Sequence, residues 1–199
     1  TDGTLAHVDK ASGTIREVLA VQNLKNGLTF ARAGLYGLEA GSTVNPLVDQ
    51  QGAMVTEDDI SGGMVVINSD LADEVDAIAG DTLLGITEFG PPVMLQVSWI
   101  ADDSGVANWG GSAYVFVDLT YAQNIIGKPG MVNRLDVSCL GSANEGYKVT
   151  DEAVAELQQF LPADIDFYYD KVKADGLENA EAASDMMSQL LVLMSSFAI

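Results

Sequence analysis

The sequence predicts a mixed domain of strands and helices, with a β-α-β unit near the C-terminus and a long terminal helix. Val132–Cys139, Thr150–Leu161 and Ile165–Val172 follow one another as an apolar strand, an amphipathic helix and an alternating strand. From Leu177 onward, apolar residues recur at helical spacing. A chain of 199 residues is long enough for one domain or two small subdomains.

Shorter elements are predicted upstream, where apolar runs are bounded by glycine, proline and polar residues. The predicted strands are Thr14–Asn23, Gly27–Gly41, Met64–Ile67, Thr82–Thr87, Val93–Ile100 and Tyr114–Val117. The fourth and fifth of these should form a hairpin around Gly90-Pro91-Pro92. A helix capped by Ser69 should bury Leu71, Val75 and Ile78 and end at Gly80, and a second helix should cover Thr120–Ile126.

The last helix has the spacing of a coiled-coil seam. Its apolar positions follow a 3-4-3-4-3 pattern at Ala180, Ala183, Met187, Leu190, Met194 and Phe197. An ordinary core helix would show the same short pattern, so both interpretations stay open. The segment Met186–Ile199 carries no charge but is shorter than the roughly 20 residues that a membrane span needs. We interpret it as a stalk cut short near a bilayer, and we expect Leu190–Ile199 to be exposed or packed against another copy.

The charge balance excludes several functions. The chain has 29 acidic residues against 9 lysines and arginines, a formal charge of -20. Nucleic-acid binding requires a basic face, and anionic membrane surfaces would repel this chain. The acidic surface fits simple hydration, or a salt-rich or acidic exterior, and the sequence does not choose between them. Thr1–Lys10 has neither the basic start nor the apolar core of a signal peptide.

The sequence offers no catalytic constellation. His7 is the only histidine and stands near an end that we expect to fray, which leaves a Ser-His-Asp or Cys-His arrangement without its base. Cys139 is the only cysteine, and alternation should place it with Leu135 and Val137 on a buried strand face. We therefore predict a structural thiol and no enzyme activity, with no catalytic, cofactor-binding or metal-binding residues.

Three polar motifs contain residue types that are found in ligand-binding sites. Gly141–Gly146 has the glycine spacing of a phosphate loop, but Lys148 comes one residue too late, which favours a plain turn before the Thr150 helix. Glu57-Asp58-Asp59 and Asp102-Asp103 carry the oxygen ligands that calcium prefers. Neither has the alternating spacing of an EF-hand loop, so solvated acidic turns are the favoured interpretation.

Several stretches occur in the order found in one family. These are Gly63-Met-Val-Val-Ile-Asn68-Ser-Asp-Leu71-Ala72, Gly80-Asp81, Tyr114-Val-Phe-Val-Asp-Leu119, Ala122-Gln123, Gly127-Lys-Pro-Gly130, Val132-Asn133-Arg134-Leu135 and Leu161-Pro162, with the tail from Leu177. Over roughly Glu39 to Ile199 the chain resembles the MacB-like periplasmic core domain, which precedes the FtsX-like membrane domain of ABC-transporter permeases.

The resemblance implies an α+β fold of two lobes within residues 1–199. One lobe would combine both chain ends, and the other would be inserted at roughly residues 40–115. It also implies a non-catalytic domain on the extracytoplasmic side of a cell membrane. Its expected partners are an ABC ATPase subunit or domain, a second permease copy, and an extracytoplasmic protein or cargo. The alternative is a free exported binding or adhesion domain whose acidic loops hold cations or sugars.

Overall fold

The computed structural model describes residues 5–49, 51–101, 104–108, 112–141, 145–160 and 186–187. In this part of the chain the strands are β1 (Val8–Asn23), β2 (Thr29–Leu38), β3 (Met64–Asn68), β4 (Thr82–Ile86), β5 (Val93–Ala101), β6 (Tyr114–Asp118) and β7 (Arg134–Cys139). The α-helices are α1 (Glu57–Ile60), α2 (Ser69–Val75), α3 (Leu119–Ile125) and α4 (Thr150–Gln158). The predicted α+β class is confirmed.

The strands form one mixed sheet in the order β2-β6-β3-β5-β4-β1-β7. The pairs β2–β6 and β3–β5 are parallel, whereas β1–β2, β1–β4, β3–β6 and β4–β5 are antiparallel. Because β1 pairs with both β2 and β4, six strands make a closed circuit of pairings, to which β7 is added. Strand β1 is 16 residues long, and its register with β2 shifts between Leu19 and Val21.

Two separate apolar clusters lie on the two faces of this sheet. On one face, α2 and α3 cover alternate residues of the strands, including Leu35, Val115 and Leu83, which are fully buried. On the other face, α1 and the 3₁₀ turn Gly105–Asn108 pack over Tyr36 and Phe116. Each fully buried large side chain contributes about 1.5–3 kcal/mol through its removal from water. Alternate residues along the strands therefore contribute to two different apolar cores, one on each face of the sheet.

The chain divides into two compact units. Of the described residues, 5–10 group with 138–141, 145–160 and 186–187, and those between 11 and 137 form the other unit. The boundaries that the sequence suggested for an inserted lobe, roughly residues 40–115, stay a prediction.

Helix α2 differs from its predicted extent at both ends. Its N-cap is Asn68 rather than Ser69, and its last residue is Val75, followed by Asp76 in the left-handed conformation. Ile78 was expected on the buried helix face, but it lies beyond the helix and is 57% exposed. The early end has a tertiary cause, because the side-chain amides of Asn23 and Asn26 donate to the carbonyl oxygens of Val75 and Asp76.

Strand β7 presents the opposite face to that predicted. Asp136 is the buried residue, 4% exposed, whereas Leu135 is 40% exposed and Val137 is half-buried. Cys139 is half-buried as well, so the expected fully buried thiol is wrong. Alternation of apolar residues fails here because polar partners on neighbouring strands, described below, hold the carboxylate inside.

Helix α4 lies close to its predicted position, but its ends differ. A 3₁₀ turn, Gly146–Val149, precedes it, and the Thr150 hydroxyl donates to Tyr147 O instead of capping the helix. Phe160 lies within the predicted amphipathic helix Thr150–Leu161, but in the structure it follows α4 and is 62% exposed. The strand Ile165–Val172 and nearly all of the helix from Leu177 lie outside the described residues, so the β-α-β unit and the stalk stay predictions.

Gly37 allows α3 to pack closely on β2. A Cβ atom at this position would lie 2.4 Å from Cβ of Ala122 and 3.3 Å from Cβ of Ile15. Neither neighbour can turn aside by a rotamer change, because each of these atoms is attached directly to its own backbone. The close contact between α3 and β2 therefore requires that the residue at position 37 has no side chain.

We expect Gly37→Ala to lower the free energy of unfolding by about 1–3 kcal/mol through overpacking. Urea denaturation followed by circular dichroism measures this loss. Gly90→Ala is the matched control, since its nearest neighbour would be Ile125 O at 3.6 Å, an ordinary contact. Adding Ala122→Gly to Gly37→Ala should recover part of the loss, although glycine inside a helix costs about 1 kcal/mol. Equal stability of Gly37→Ala and Gly90→Ala would contradict the close packing.

Candidate functional site

Asn68 joins three segments of the chain through a single side chain. Its Oδ1 accepts hydrogen bonds from Leu71 N at 3.2 Å and Tyr114 N at 2.7 Å. Its Nδ2 donates to Ala107 O at 3.0 Å and Ser112 O at 2.8 Å. The side chain is fully buried, and all four bonds satisfy backbone groups. The asparagine of the family-like motif thus caps α2 and fixes both the loop before β6 and the start of β6.

The Gly80-Asp81 pair organises the turn between α2 and β4. Gly80 has φ +91°, a conformation that favours glycine, and its N–H donates to Val97 O. The Asp81 carboxylate accepts from Ile78 N at 3.1 Å and from Lys25 Nζ at 3.3 Å. The Ile78 N–H is the main cause that lowers the pKa of Asp81. Gly80-Asp81 therefore forms a turn in which the Asp81 carboxylate accepts a hydrogen bond from the backbone N–H of Ile78 in the same turn.

Two further motif residues hold the segment between α3 and β7. Gln123 donates to Met131 O at 2.9 Å and accepts from Gly130 N at 3.1 Å, which closes the loop after α3. Asn133 accepts from Arg16 N at 2.9 Å and donates to Arg16 O at 2.8 Å. Its side chain thereby continues the strand pairing of β1 beyond β7. These contacts give the motif residues architectural roles.

A buried carboxylate lies at the centre of a polar cluster on β1, β2 and β7. Asp136 Oδ1 accepts from Arg134 Nε at 2.9 Å. Its Oδ2 accepts from the Tyr36 hydroxyl and, at 3.4 Å, from Thr14 Oγ1. Burial, followed by the charge of Asp136, raises the pKa of Tyr36, so the phenol stays protonated and acts as donor. Burial of the Asp136 carboxylate is unfavourable by itself, and the hydrogen bonds from several donors compensate for it.

The guanidinium group of Arg16 extends this cluster over two aromatic rings. Its Cζ lies 4.9 Å from the ring centroid of Tyr36 and 6.0 Å from that of Tyr114. Burial, and then the neighbouring charge of Arg134, lower the pKa of Arg16. Gly34 makes room for this arrangement, because a Cβ there would lie 2.3 Å from the Tyr114 ring. The cluster cross-links four strands by cation-π contacts and hydrogen bonds.

Sequence reasoning missed this cluster. Its members stand up to 122 residues apart, so no local spacing connects them. No local signal pointed to it, because Asp136 occupies the polar position between Leu135 and Val137, where exposure to water is the ordinary expectation. In the structure its partners are Arg134, two residues earlier, and Tyr36, 100 residues away.

His7 is held firmly, in contrast to the expected fraying. Its Nδ1 lies 2.7 Å from Glu156 Oε1, and its backbone N–H donates to Glu156 Oε2 at 3.0 Å. Its carbonyl oxygen accepts from Leu140 N at 2.8 Å. The contacts bring the start of β1 and the last turn of α4 together within one unit. His7 thus takes a joining role that its position in the sequence did not indicate.

The acidic turn at residues 57–59 uses one of its carboxylates internally. Asp59 Oδ2 accepts from Thr56 N at 2.8 Å and from Thr56 Oγ1 at 2.6 Å, which closes the first turn of α1. Asp102 and Asp103 lie outside the described residues, as do residues 142–144 of the glycine motif. Among the residues that the structure describes, no group of three or more His, Cys, Asp and Glu side chains is placed to hold a metal ion.

The closed circuit of mixed strands, with helices α2 and α3 on one face, belongs to a known fold. Two solved structures share it. The periplasmic region of MacB from Actinobacillus actinomycetemcomitans is 17% identical, with a TM-score of 0.58, over 89% of this chain and 77% of that chain. The extracellular domain of the noncanonic ABC-type transporter YknZ from Gram-positive bacteria is 16% identical, with a TM-score of 0.53, over 78% of each chain.

These likenesses confirm the fold that the sequence motifs implied. No protein-family model matches the chain, and no curated protein sequence matches it. Among the helices of the described residues, none has the length and apolar character needed to cross a membrane.

Proposed function

We propose that this chain is the extracytoplasmic domain of an ABC-transporter permease and that it performs no catalysis itself. The observation that carries this proposal is the shared fold: one solved structure is a periplasmic region and the other is the extracellular domain of an ABC-type transporter, and the likeness extends over most of this chain. The order of the family-like motifs along the sequence supports the same assignment.

The contacts of the motif residues lie within the unit formed by residues 11–137 and suit a rigid unit. Asn68, Gln123 and Asn133 each tie two or more backbone segments together. Side chains that join backbone segments in this way favour a rigid unit, and a rigid unit can pass on a displacement made at the membrane. We infer that ATP hydrolysis on a cytoplasmic ATPase moves this domain, together with a second permease copy, to act on a cargo or an extracytoplasmic protein.

The acidic-loop alternative, a free exported binding or adhesion domain, receives less support. In the turn at residues 57–59, Asp59 is engaged with Thr56 instead of standing open to a ligand. The two possibilities differ most clearly in how the protein is attached to the cell, and this difference can be measured directly.

The test uses the full-length gene product in cells, with every native cysteine, Cys139 included, replaced by serine and a single cysteine introduced by Glu74→Cys, an exposed position on α2. A membrane-impermeant maleimide should label this cysteine in intact cells, and the protein should stay in the membrane fraction after alkaline washing. A cysteine placed in the ATPase is the control and should react only after lysis. Release of the labelled protein by the wash would favour the free exported domain, and labelling only after lysis would contradict both possibilities.

The same cells test the ATPase partner. Affinity purification of the full-length product in mild detergent should retain an ABC ATPase, and the retained complex should hydrolyse ATP. Purification of the membrane protein without any ATPase, under conditions that keep known permeases associated with theirs, would count against the coupling role.

A further inference from the structure

His7 is fixed by three contacts that involve both its backbone and its side chain. Glu156 accepts from the His7 backbone N–H with Oε2 and lies against Nδ1 with Oε1, at 3.0 Å and 2.7 Å. Leu140 N donates to the His7 carbonyl oxygen at 2.8 Å. The bonded residues His7 and Glu156 are 149 positions apart. One carboxylate and one backbone amide therefore fasten the start of β1 to the C-terminal part of the chain.

The carboxylate stands where a helix does not favour it. Glu156 lies in the last turn of α4, close to the negative end of the helix dipole. Glu152 is one turn earlier on the same helix, and like charges at this spacing repel. The donors from His7 compensate both effects. Within the same unit, the other charged residues that the structure describes are Asp9, Lys10, Glu145, Lys148 and Asp151.

We propose that Glu156, His7 and Leu140 form an acid-released clasp, which closes the N-terminal segment onto α4 while Glu156 is ionised and frees that segment when Glu156 is protonated. The imidazole can donate from Nδ1 either as the neutral ring with its proton there or as imidazolium. The carboxylate is the group whose charge decides whether the clasp holds, because it is the acceptor for both the backbone and the ring.

The direction of the pH dependence follows from the carboxyl group. The backbone N–H of His7 is the main reason that the pKa of Glu156 lies below its ordinary value of 4.5, with burial acting in the opposite direction and the imidazole adding to the lowering. A carboxyl group with a depressed pKa stabilises the folded form above its unfolded pKa and loses this contribution as the pH falls through its folded pKa. The clasp is therefore closed at neutral pH and opens as the pH falls through the lowered pKa of Glu156.

The experiment measures amide hydrogen exchange of the whole chain by NMR, expressed as protection factors that remove the intrinsic pH dependence. At neutral pH, Glu156→Gln should lower the protection of the His7 and Leu140 amides by about tenfold, because a hydrogen bond to a charged group is replaced by a weaker neutral one. Glu152→Gln is the matched control: it removes the same charge from the same helix, one turn away, and should leave both amides protected.

In the unmodified chain, the same two amides should lose protection together as the pH falls through the lowered pKa of Glu156, while amides of β3 and β6 in the other unit stay protected. Equal protection of His7 in Glu156→Gln and Glu152→Gln would overturn the proposal, as would a loss that appears only when β3 and β6 open as well. If Glu156→Gln does not fold, the pH titration of the unmodified chain tests the proposal. Loss of protection at His7 and Leu140 only together with β3 and β6 would then overturn it. The outcome is independent of the proposed transport function.

Discussion

Replacement of Asn68 by alanine is expected to lower the free energy of unfolding by about 3–4 kcal/mol. Four backbone groups lose their partner at once: the N–H groups of Leu71 and Tyr114, and the carbonyl oxygens of Ala107 and Ser112. Each buried polar group without a hydrogen bond costs about 1–3 kcal/mol, and local relaxation or a water molecule would recover part of the sum. The measurement is urea denaturation monitored by fluorescence and circular dichroism.

Asn124→Ala is the matched control, because it removes the same amide from an exposed position on α3. Its effect should stay within about 0.5 kcal/mol. Asn68→Asp separates the two halves of the side chain: it keeps an oxygen for Leu71 N and Tyr114 N but turns the other oxygen toward two carbonyls. We expect a loss comparable to that of Asn68→Ala. If Asn68→Ala is no more destabilising than Asn124→Ala, the joining role of this residue is wrong.

Replacement of Asp136 by alanine should lower the free energy of unfolding by about 2–4 kcal/mol. The change removes the acceptor that Arg134, Tyr36 and Thr14 share. Breaking a buried ion pair typically costs about 3–5 kcal/mol, and the partial exposure of Arg134 reduces that cost because water can solvate the guanidinium. Thermal unfolding and urea denaturation should both report the loss.

Asp73→Ala provides the control, since it deletes an exposed carboxylate on α2 and should change stability by no more than about 0.5 kcal/mol. Asp136→Asn should fall between the two, because the amide oxygen still accepts a hydrogen bond while the charge is gone. A double-mutant cycle with Arg134→Gln measures the pairwise energy directly. Additive effects of Asp136→Ala and Arg134→Gln would show that the ion pair contributes nothing of its own.

The hairpin of β4 and β5 and the strands β3 and β6 were predictable because their signals are local. Gly90-Pro91-Pro92 interrupts two alternating runs, and the short apolar runs after Gly63 and before Leu119 are bounded by polar residues. Turn chemistry and periodicity act over a few residues, so a single sequence contains them completely. The family-like motifs could be identified for the same reason.

The extent of α2 and the orientation of β7 were not predictable in this way. Helix α2 ends at Val75 because Asn23 and Asn26, about 50 residues earlier in the chain, supply donors to its last carbonyls. Strand β7 turns Asp136 inward because Tyr36 and Thr14 on other strands meet it there. In both cases a distant side chain outweighs the local preference.

The sequence by itself determined the α+β class, the acidic character that argues against nucleic-acid binding, and the order of motifs on which the family resemblance rests. Composition, periodicity and turn residues are properties of neighbouring positions. Only the tertiary structure decided the closed circuit of strands, the buried position of Asp136 and the contact of His7 with Glu156. Those features depend on which distant groups meet, and the free energy of a buried polar or charged group is set by its partners rather than by its position along the chain.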